Sequence, residues 1–269
     1  MGYLDMTGFI FNGVSSKQYE LNIGWVDTAE SSEDSGLTVD VQRGEMNMVR
    51  STPNQYGTKY KDTLHFSFGI FKKDYSSFTM QESRAINNWL RGPNTYKVLQ
   101  FDDQSPESIH FYAICTELQD IILNGHSGKM VSFVCNSPFG YADKKHVSID
   151  VSGEKSFNIY NNSDDGIYYP TIAIKCQDDY VDDFSIAVGD DGEIIFDFSE
   201  CDEKEITING KNSAITDKEG NLIPLYKLGL NDVAHLYWPR LQLNENAIVL
   251  SGTGTVDFEF EFPRKVGVV

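Results

Sequence analysis

A serine between glycines, NGHSG at 124–128, is the first place to look for acyl-transfer chemistry. A nucleophile elbow needs G-x-S-x-G, which projects the serine from a sharp strand-to-helix turn. Here Gly128 follows Ser127 directly and Lys129 takes the later place, so the segment reads as a hairpin turn. His65 and His110 sit in strand-like runs, with no acid or nucleophile tied to them by spacing. They read as packed or surface histidines. The acidic doublets Asp164-Asp165, Asp178-Asp179, Asp182-Asp183 and Asp190-Asp191 could offer oxygens to calcium. A calcium loop wants alternating oxygens around a glycine bend, and that pattern is absent. They read as solvated turns, Asp190-Asp191-Gly192 as a hairpin. A glycosidase would need two carboxylates held across a cleft, and no acidic pair stands out.

Cys115, Cys135, Cys176 and Cys201 are widely spaced and form no CxxC pair. They read as reduced, buried thiols acting as small hydrophobes, not as zinc ligands. Asn161-Asn162-Ser163 matches a glycosylation acceptor, which without a secretion signal reads as accidental. Tyr168 and Tyr169, with Tyr237 and Trp238, could form a sugar-stacking platform; core packing explains the same residues. No phosphate-cradling glycine loop is present. The expectation is a chain with no catalytic residues, no cofactor and no metal.

Stepping out to the whole chain, 269 residues suggest about one to two domains. Aromatic content is 13%, which favours sheets with filled interiors. The start, MGYLDMTGF, has no basic segment and no long apolar run, so neither a signal peptide nor a membrane span is expected. Formal net charge is −18, unevenly spread. Residues 1–149 hold 13 Lys+Arg against 17 Asp+Glu, and residues 150–269 hold 9 against 23. Such a surface disfavours tight binding to nucleic acid or anionic membrane, though DNA could slide past it.

The elements read mostly as strands. GFIFNG (8–13) is a short strand ending in an Asn-Gly turn. DTAESSEDSG (27–36) reads as a mobile loop, and the stretch from Leu37 to Asp62 as the two arms of a long, poorly buried hairpin. TLHFSFGIF places Leu64, Phe66, Phe68 and Ile70 on one face. IHFYAICTELQDIIL and KMVSFVC form an apolar pair, bulky on both faces, so neither face is expected to be fully wet. CNSPFGYADKK breaks regularity and reads as a linker. Beyond it, SFNIYNN, PTIAIKC, FSIAVGDDGEIIFDF, EITING, NAIVLSG and GTVDFEFEF read as short strands of an antiparallel sandwich.

One helix interrupts this pattern. Thr79 and Glu82 have capping-box spacing, and Ala85, Ile86, Trp89 and Leu90 share one face. Gly92 is expected in the left-handed C-terminal position, with Pro93 forbidding continuation. So short a helix cannot stand alone in water. It must lay Ile86, Trp89 and Leu90 over a sheet, with Trp89 as anchor.

Taken in order, FIFNGVSS, NQYGTKYKDTLHFSFGIF, INNWLRG, VLQFDDQSPESIHFYAICTEL, VSFVCNSPFGYAD, YNNSDDGIYYPTIAIK, GDDGEIIFDF and LNENAIVLSGTGTVDFEF carry a resemblance. The chain resembles the distal tail protein (Dit) family of long-tailed bacteriophages along nearly its whole length. The resemblance implies a mainly β fold. A small N-terminal β-barrel or sheet domain with one α-helix (1–141) would form a hexameric ring. A galectin-like antiparallel β-sandwich (142–269) would project outward, its last strand free to pack back toward the N-terminal domain. It also implies a structural hub at the virion tail tip, assembled in the bacterial host cytoplasm, that lets DNA through its lumen without binding it specifically. The partners implied are the major tail tube protein, a tail-associated hub protein and receptor-binding or baseplate proteins.

A physical argument points the same way. A small domain with apolar strands and a ragged hairpin leaves sheet edges unpaired as a monomer, and a closed heterologous ring pairs them. Arg50, Tyr56 and Tyr60, in or beside the long hairpin, are the candidate ring contacts. The alternative reading is a carbohydrate-binding module in which the sandwich reads host surface glycans, with Tyr168, Tyr169 and Trp238 as candidate contacts.

Overall fold

Asn12-Gly13 and Asn124-Gly125 all take positive φ, between 50° and 81°, as the tightest two-residue hairpin turns require. Each joins adjacent strands, pairing Phe11 with Val14 and Leu123 with His126. The computed structural model describes residues 7–24, 39–43, 55–102, 107–176, 183–199, 201, 203–232 and 236–266. The chain is mainly β and divides into two units, Met1–Ala142 with Arg264–Val269, and Asp143–Pro263.

In chain order the first unit contains β1 (Phe9–Phe11), β2 (Val14–Ser15), β3 (Leu21–Gly24), β4 (Val39–Arg43), β5 (Gln55–Tyr60) and β6 (His65–Lys72). Then come α1 (Met80–Arg91), β7 (Lys97–Phe101), β8 (Ile109–Leu123), β9 (His126–Cys135) and β10 (Gly140–Ala142). The main sheet runs β2-β1-β7-β8-β9-β6-β3, antiparallel throughout. Its core is an aromatic cluster. Phe9, Phe68 and Phe133 contact one another with ring centroids 5.2 to 6.2 Å apart, in the edge-on and offset geometries that ring quadrupoles favour. On the opposite face Phe71 lies over Gly24 and Gly128, where an added Cβ would come within 2.6 and 2.3 Å of its ring. Glycine is required there so that the ring can cover the sheet.

Helix α1 forms where the capping spacing puts it. The Glu82 amide donates to Thr79 Oγ1 at 3.2 Å, and the Thr79 amide donates back to Glu82 Oε2 at 2.7 Å. Ile86, Trp89 and Leu90 are buried. The C-terminus differs from expectation, because Gly92 is right-handed (φ −64°, ψ −42°) and its amide still donates to Asn88 O. The helix stops because Pro93 has no N–H to continue it. Glycine tolerates this conformation before proline because it has no Cβ to clash with the pyrrolidine ring.

The segment read as a linker is packed. Phe139, Gly140 and Ala142 are buried, and β10 pairs with β8. The hairpin expected between Leu37 and Asp62 forms as β4–β5, a two-stranded sheet of its own. The loop at 27–36 lies outside the described residues.

The second unit contains β11 (Lys145–Asn161), β12 (Thr171–Cys176), β13 (Asp183–Val188), β14 (Gly192–Asp197), β15 (Glu205–Asn209), β16 (Ala214–Asp217) and β17 (Asn244–Phe260). The chain then reaches β18 (Pro263–Arg264), which joins the first unit's sheet beside β10. NAIVLSG and GTVDFEFEF, expected as two strands, are one 17-residue strand, β17, paired along its whole length with β11. Its other edge serves two partners, β13 through Ile248–Ser251 and β12 through Gly254–Glu259. The change of partner falls at Gly252 (φ 138°) and Gly254 (φ 159°), where a Cβ would meet the Phe184 ring or the Lys175 carbonyl at 2.4 Å. Glycine thus lets one strand turn from the β13–β14 leaf to the β12–β15–β16 leaf, and both leaves fill one core around Phe184, Phe196, Phe258 and Ile208.

Candidate functional site

The expected site residues divide by location. Trp89 donates its indole N–H to Phe11 O at 3.0 Å. Its ring stacks between Phe9 and Tyr19, at 5.3 and 4.9 Å. Of the ring-contact candidates, Arg50 lies outside the described residues, and of Tyr56 only the backbone in β5 is described. Tyr60 is half-buried and packs edge-on against Phe139, at 4.9 Å.

Tyr168, Tyr169 and Trp238 are half-buried, and Tyr168 and Trp238 pack against the second unit's core. The Tyr168 hydroxyl accepts the Glu261 amide at 2.9 Å, and its ring meets Phe262 edge-on. Tyr168 thus has its hydroxyl and one ring edge engaged within the second unit.

The residues weighed for chemistry do not converge. His65 is exposed, 3.4 Å from Asp62. His110 is buried against Tyr112 and Tyr141. Ser127 sits on β9 just after the hairpin turn. Asp191 closes the β13–β14 turn and accepts from Gln242 at 2.7 Å and Arg240 at 3.1 Å. Those two donors hold its carboxyl below the usual carboxylate range. Desolvation pushes Cys115 up to about 11 and Cys135 to about 12, which removes thiolate character. Among the described residues no group of three or more His, Cys, Asp or Glu is placed to hold a metal, and no helix is long and apolar enough to cross a membrane.

What the first unit offers instead is unpaired β-structure. Strands β4 and β5 pair with each other and with no other described strand. Val39 and Val41 on this hairpin are 42% and 40% exposed. An isolated two-stranded sheet is marginal in water and needs a third strand or a packing surface. A second open edge lies on β8. Its pairing with β7 spans only His110–Ala113, and among the described residues Glu117–Leu123 bond to β9 alone. Ile122 there is 81% exposed, while Leu118, Ile121 and Leu123 are half-buried, so the far half is open to water without either face being fully wet. The sequence signal was mixed, since apolar ends flank the polar stretch Thr116–Asp120, and an apolar end cannot distinguish a buried strand from one kept apolar for a neighbour. Both edges carry mixed charge, with Asp120 on β8 paired to Lys129, and Lys59 on β5 standing opposite Asp40 on β4.

Family comparison decides between a lone domain and an assembly component. Residues 4–137 match the model of a phage tail protein N-terminal domain, and residues 139–260 match a phage tail C-terminal domain. The chain belongs to this phage tail protein family. It is accordingly a component of the virion tail. A search of curated protein sequences gives no match. Among solved structures this phage tail protein is similar to the SPP1 Dit (gp 19.1) protein, described as a paradigm of hub adsorption apparatus in Gram-positive infecting phages. The two share 12% identity with a TM-score of 0.62, over 95% of this chain and 98% of the other. At that identity the likeness is one of fold, and it spans both units.

Proposed function

We infer that this phage tail protein is a distal tail hub whose work is mechanical. Six copies close a ring through their first units, the tail tube docks on one side and the tail-tip or baseplate proteins on the other, and DNA passes through the lumen. The observation that carries this reading is the pair of open β-edges in the first unit. Among the described residues the β4–β5 sheet has no third strand and Glu117–Leu123 of β8 has a strand partner on one side only; such edges are liabilities in a monomer, and a heterologous ring can satisfy both with one repeated contact. Fold likeness to a hub protein supports the same role.

Light scattering and electron microscopy of the purified chain, alone and with the tail tube protein, test it. Six-fold rings with a central hole are expected. A chain that stays monomeric in both conditions, or closes with another symmetry, overturns the proposal.

A further inference from the structure

Helix α1 and the β1–β2 hairpin do not close on each other. Tyr19, stacked on Trp89, lines the gap between them, and what remains is an open groove of about 660 Å³. That size lies in the roughly 300–1,000 Å³ range of binding sites. Val14, Ala85, Trp89 and Pro93 supply the apolar part of its lining. Three carboxamides stand around it: Asn12 on the hairpin turn, Asn88 on α1 and Asn94 just past the helix. All three are exposed, and among the described residues none makes a side-chain hydrogen bond.

Charge sets this groove apart from the rest of the molecule. The chain carries a formal net charge of −18, yet the described lining contains no Asp or Glu and does contain Lys97. Arg84 and Arg91 are exposed on α1, one turn to either side of Asn88. Among the described residues none of these three cations has an ion-pair partner. Glu82, the one acid of the helix, is already held by Lys72 and by the Thr79 cap. A cation in the last turn complements the helix dipole, which accounts for Arg91. Arg84 lies two turns earlier, where that dipole gives it no role.

The groove suits a polypeptide better than a nucleic acid. Nucleobases stack on open aromatic faces, and both faces of the Trp89 ring are covered, by Phe9 and by Tyr19. A carboxamide donates and accepts at once, which matches the N–H and C=O groups along an extended backbone. Three carboxamides around an apolar strip can hold such a segment, while the basic residues select carboxylates on it. We propose that the groove between α1 and the β1–β2 hairpin binds an extended acidic segment of a partner protein, with Asn12, Asn88 and Asn94 on its backbone and Arg84, Arg91 and Lys97 facing its carboxylates. The contact lies apart from the open β-edges and does not depend on ring closure.

Fluorescence anisotropy of labelled, end-capped peptides titrated with the full chain tests this. The probes are an alternating glutamate–serine decapeptide, its glutamine–serine counterpart and an oligothymidylate of the same length. Saturable binding of the acidic peptide is expected, with the neutral one weaker by about tenfold or more. Arg84→Gln with Arg91→Gln should weaken the acidic peptide by a similar factor, and Asn88→Ala with Asn94→Ala by about threefold or more. All four positions are exposed, and Gln and Ala are good helix formers, so these variants should melt with the native protein. Lys211→Gln with Lys218→Gln, at exposed positions of the second unit, should leave the affinity unchanged. No saturable binding overturns the proposal. An equal loss in the Lys211 and Lys218 variant overturns it too, because diffuse attraction would then suffice. Native affinity in either the arginine or the asparagine variant has the same force, and equal binding of the neutral peptide overturns the charge assignment. Tighter binding of the oligothymidylate overturns the peptide reading in favour of nucleic acid. None of these readouts requires a ring, so failure here leaves the hub reading standing.

Discussion

The indole N–H of Trp89 donates to the carbonyl oxygen of Phe11, 78 residues earlier in the chain. One side chain thereby ties helix α1 to the first strand of the sheet, and satisfies a buried acceptor at the end of that short strand. Truncation to Trp89→Ala removes the ring between Phe9 and Tyr19 and should cost about 3–5 kcal/mol. Trp89→Phe retains much of the packing and loses the hydrogen bond, at about 1–3 kcal/mol. Urea unfolding of the two variants measures both, and equal stability of the Phe variant and the native chain would show that the Phe11 carbonyl finds another donor.

The three glycines of the β11–β17 bend should rank by what their missing Cβ would meet. Gly254→Ala drives a methyl against the Lys175 carbonyl, and Gly252→Ala against the Phe184 ring. Gly153, opposite Gly252 in the register, has open space and only its positive φ of 85° to resist. Gly153→Ala should cost about 1–2 kcal/mol, and the other two more, about 2–4 kcal/mol each. Thermal melts that place all three together would show that the bend relaxes.

These glycines also mark what the sequence could and could not reveal. Alternation exposed nearly every strand, and the Thr79–Glu82 spacing located the helix to the residue. Both signals are local, so they survive without the fold. The joining of NAIVLSG to GTVDFEFEF was missed because Gly-Thr-Gly reads as a turn from spacing alone. Only the tertiary packing of Phe184 and β12 shows that the ladder continues through it. The helix end was misread for a similar reason, since Gly followed by Pro fits two backbone solutions. Trp89 was legible as an anchor from helical periodicity, but its hydrogen-bond partner was not.

Acid should weaken the helix cap. Lys72, then the Thr79 amide and hydroxyl, hold the Glu82 carboxyl down to about 2, below the ordinary 4.5 that applies once the chain unfolds. A depressed folded value means the ionised form stabilises the fold. That contribution is complete above about pH 4.5 and is lost as pH falls through about 2. Glu82→Gln should therefore lower the melting temperature at pH 7 and converge with the native chain near pH 2. Parallel melting curves across that range would show that Glu82 does not gate the cap.

Thiol chemistry should report unfolding rather than surface reactivity. Cys115, Cys135, Cys176 and Cys201 are all free and buried, and burial pushes Cys115, Cys135 and Cys176 upward. At pH 8 a disulfide-exchange reagent such as DTNB should label the native chain slowly and release all four thiols in denaturant. Rapid labelling of one thiol in the native state would identify a locally opening segment.

Arg264 brings the end of the chain back to the first unit. Its Nε lies 3.0 Å from both carboxylate oxygens of Glu107, and its Nη2 lies 2.7 Å from Oε1. The arginine side chain is 8% exposed and the glutamate 47%, so the cation gives up far more water than its partner. Removing the carboxylate should therefore cost more than removing the whole pair. Glu107→Gln should destabilise by about 1–3 kcal/mol, because the guanidinium stays buried against a neutral amide. Arg264→Met should cost less, since an apolar chain fills the same space without a desolvation penalty. The double variant should then recover part of the Glu107→Gln loss, which a double-mutant cycle in urea can resolve. Strict additivity would mean that the fork adds nothing beyond packing.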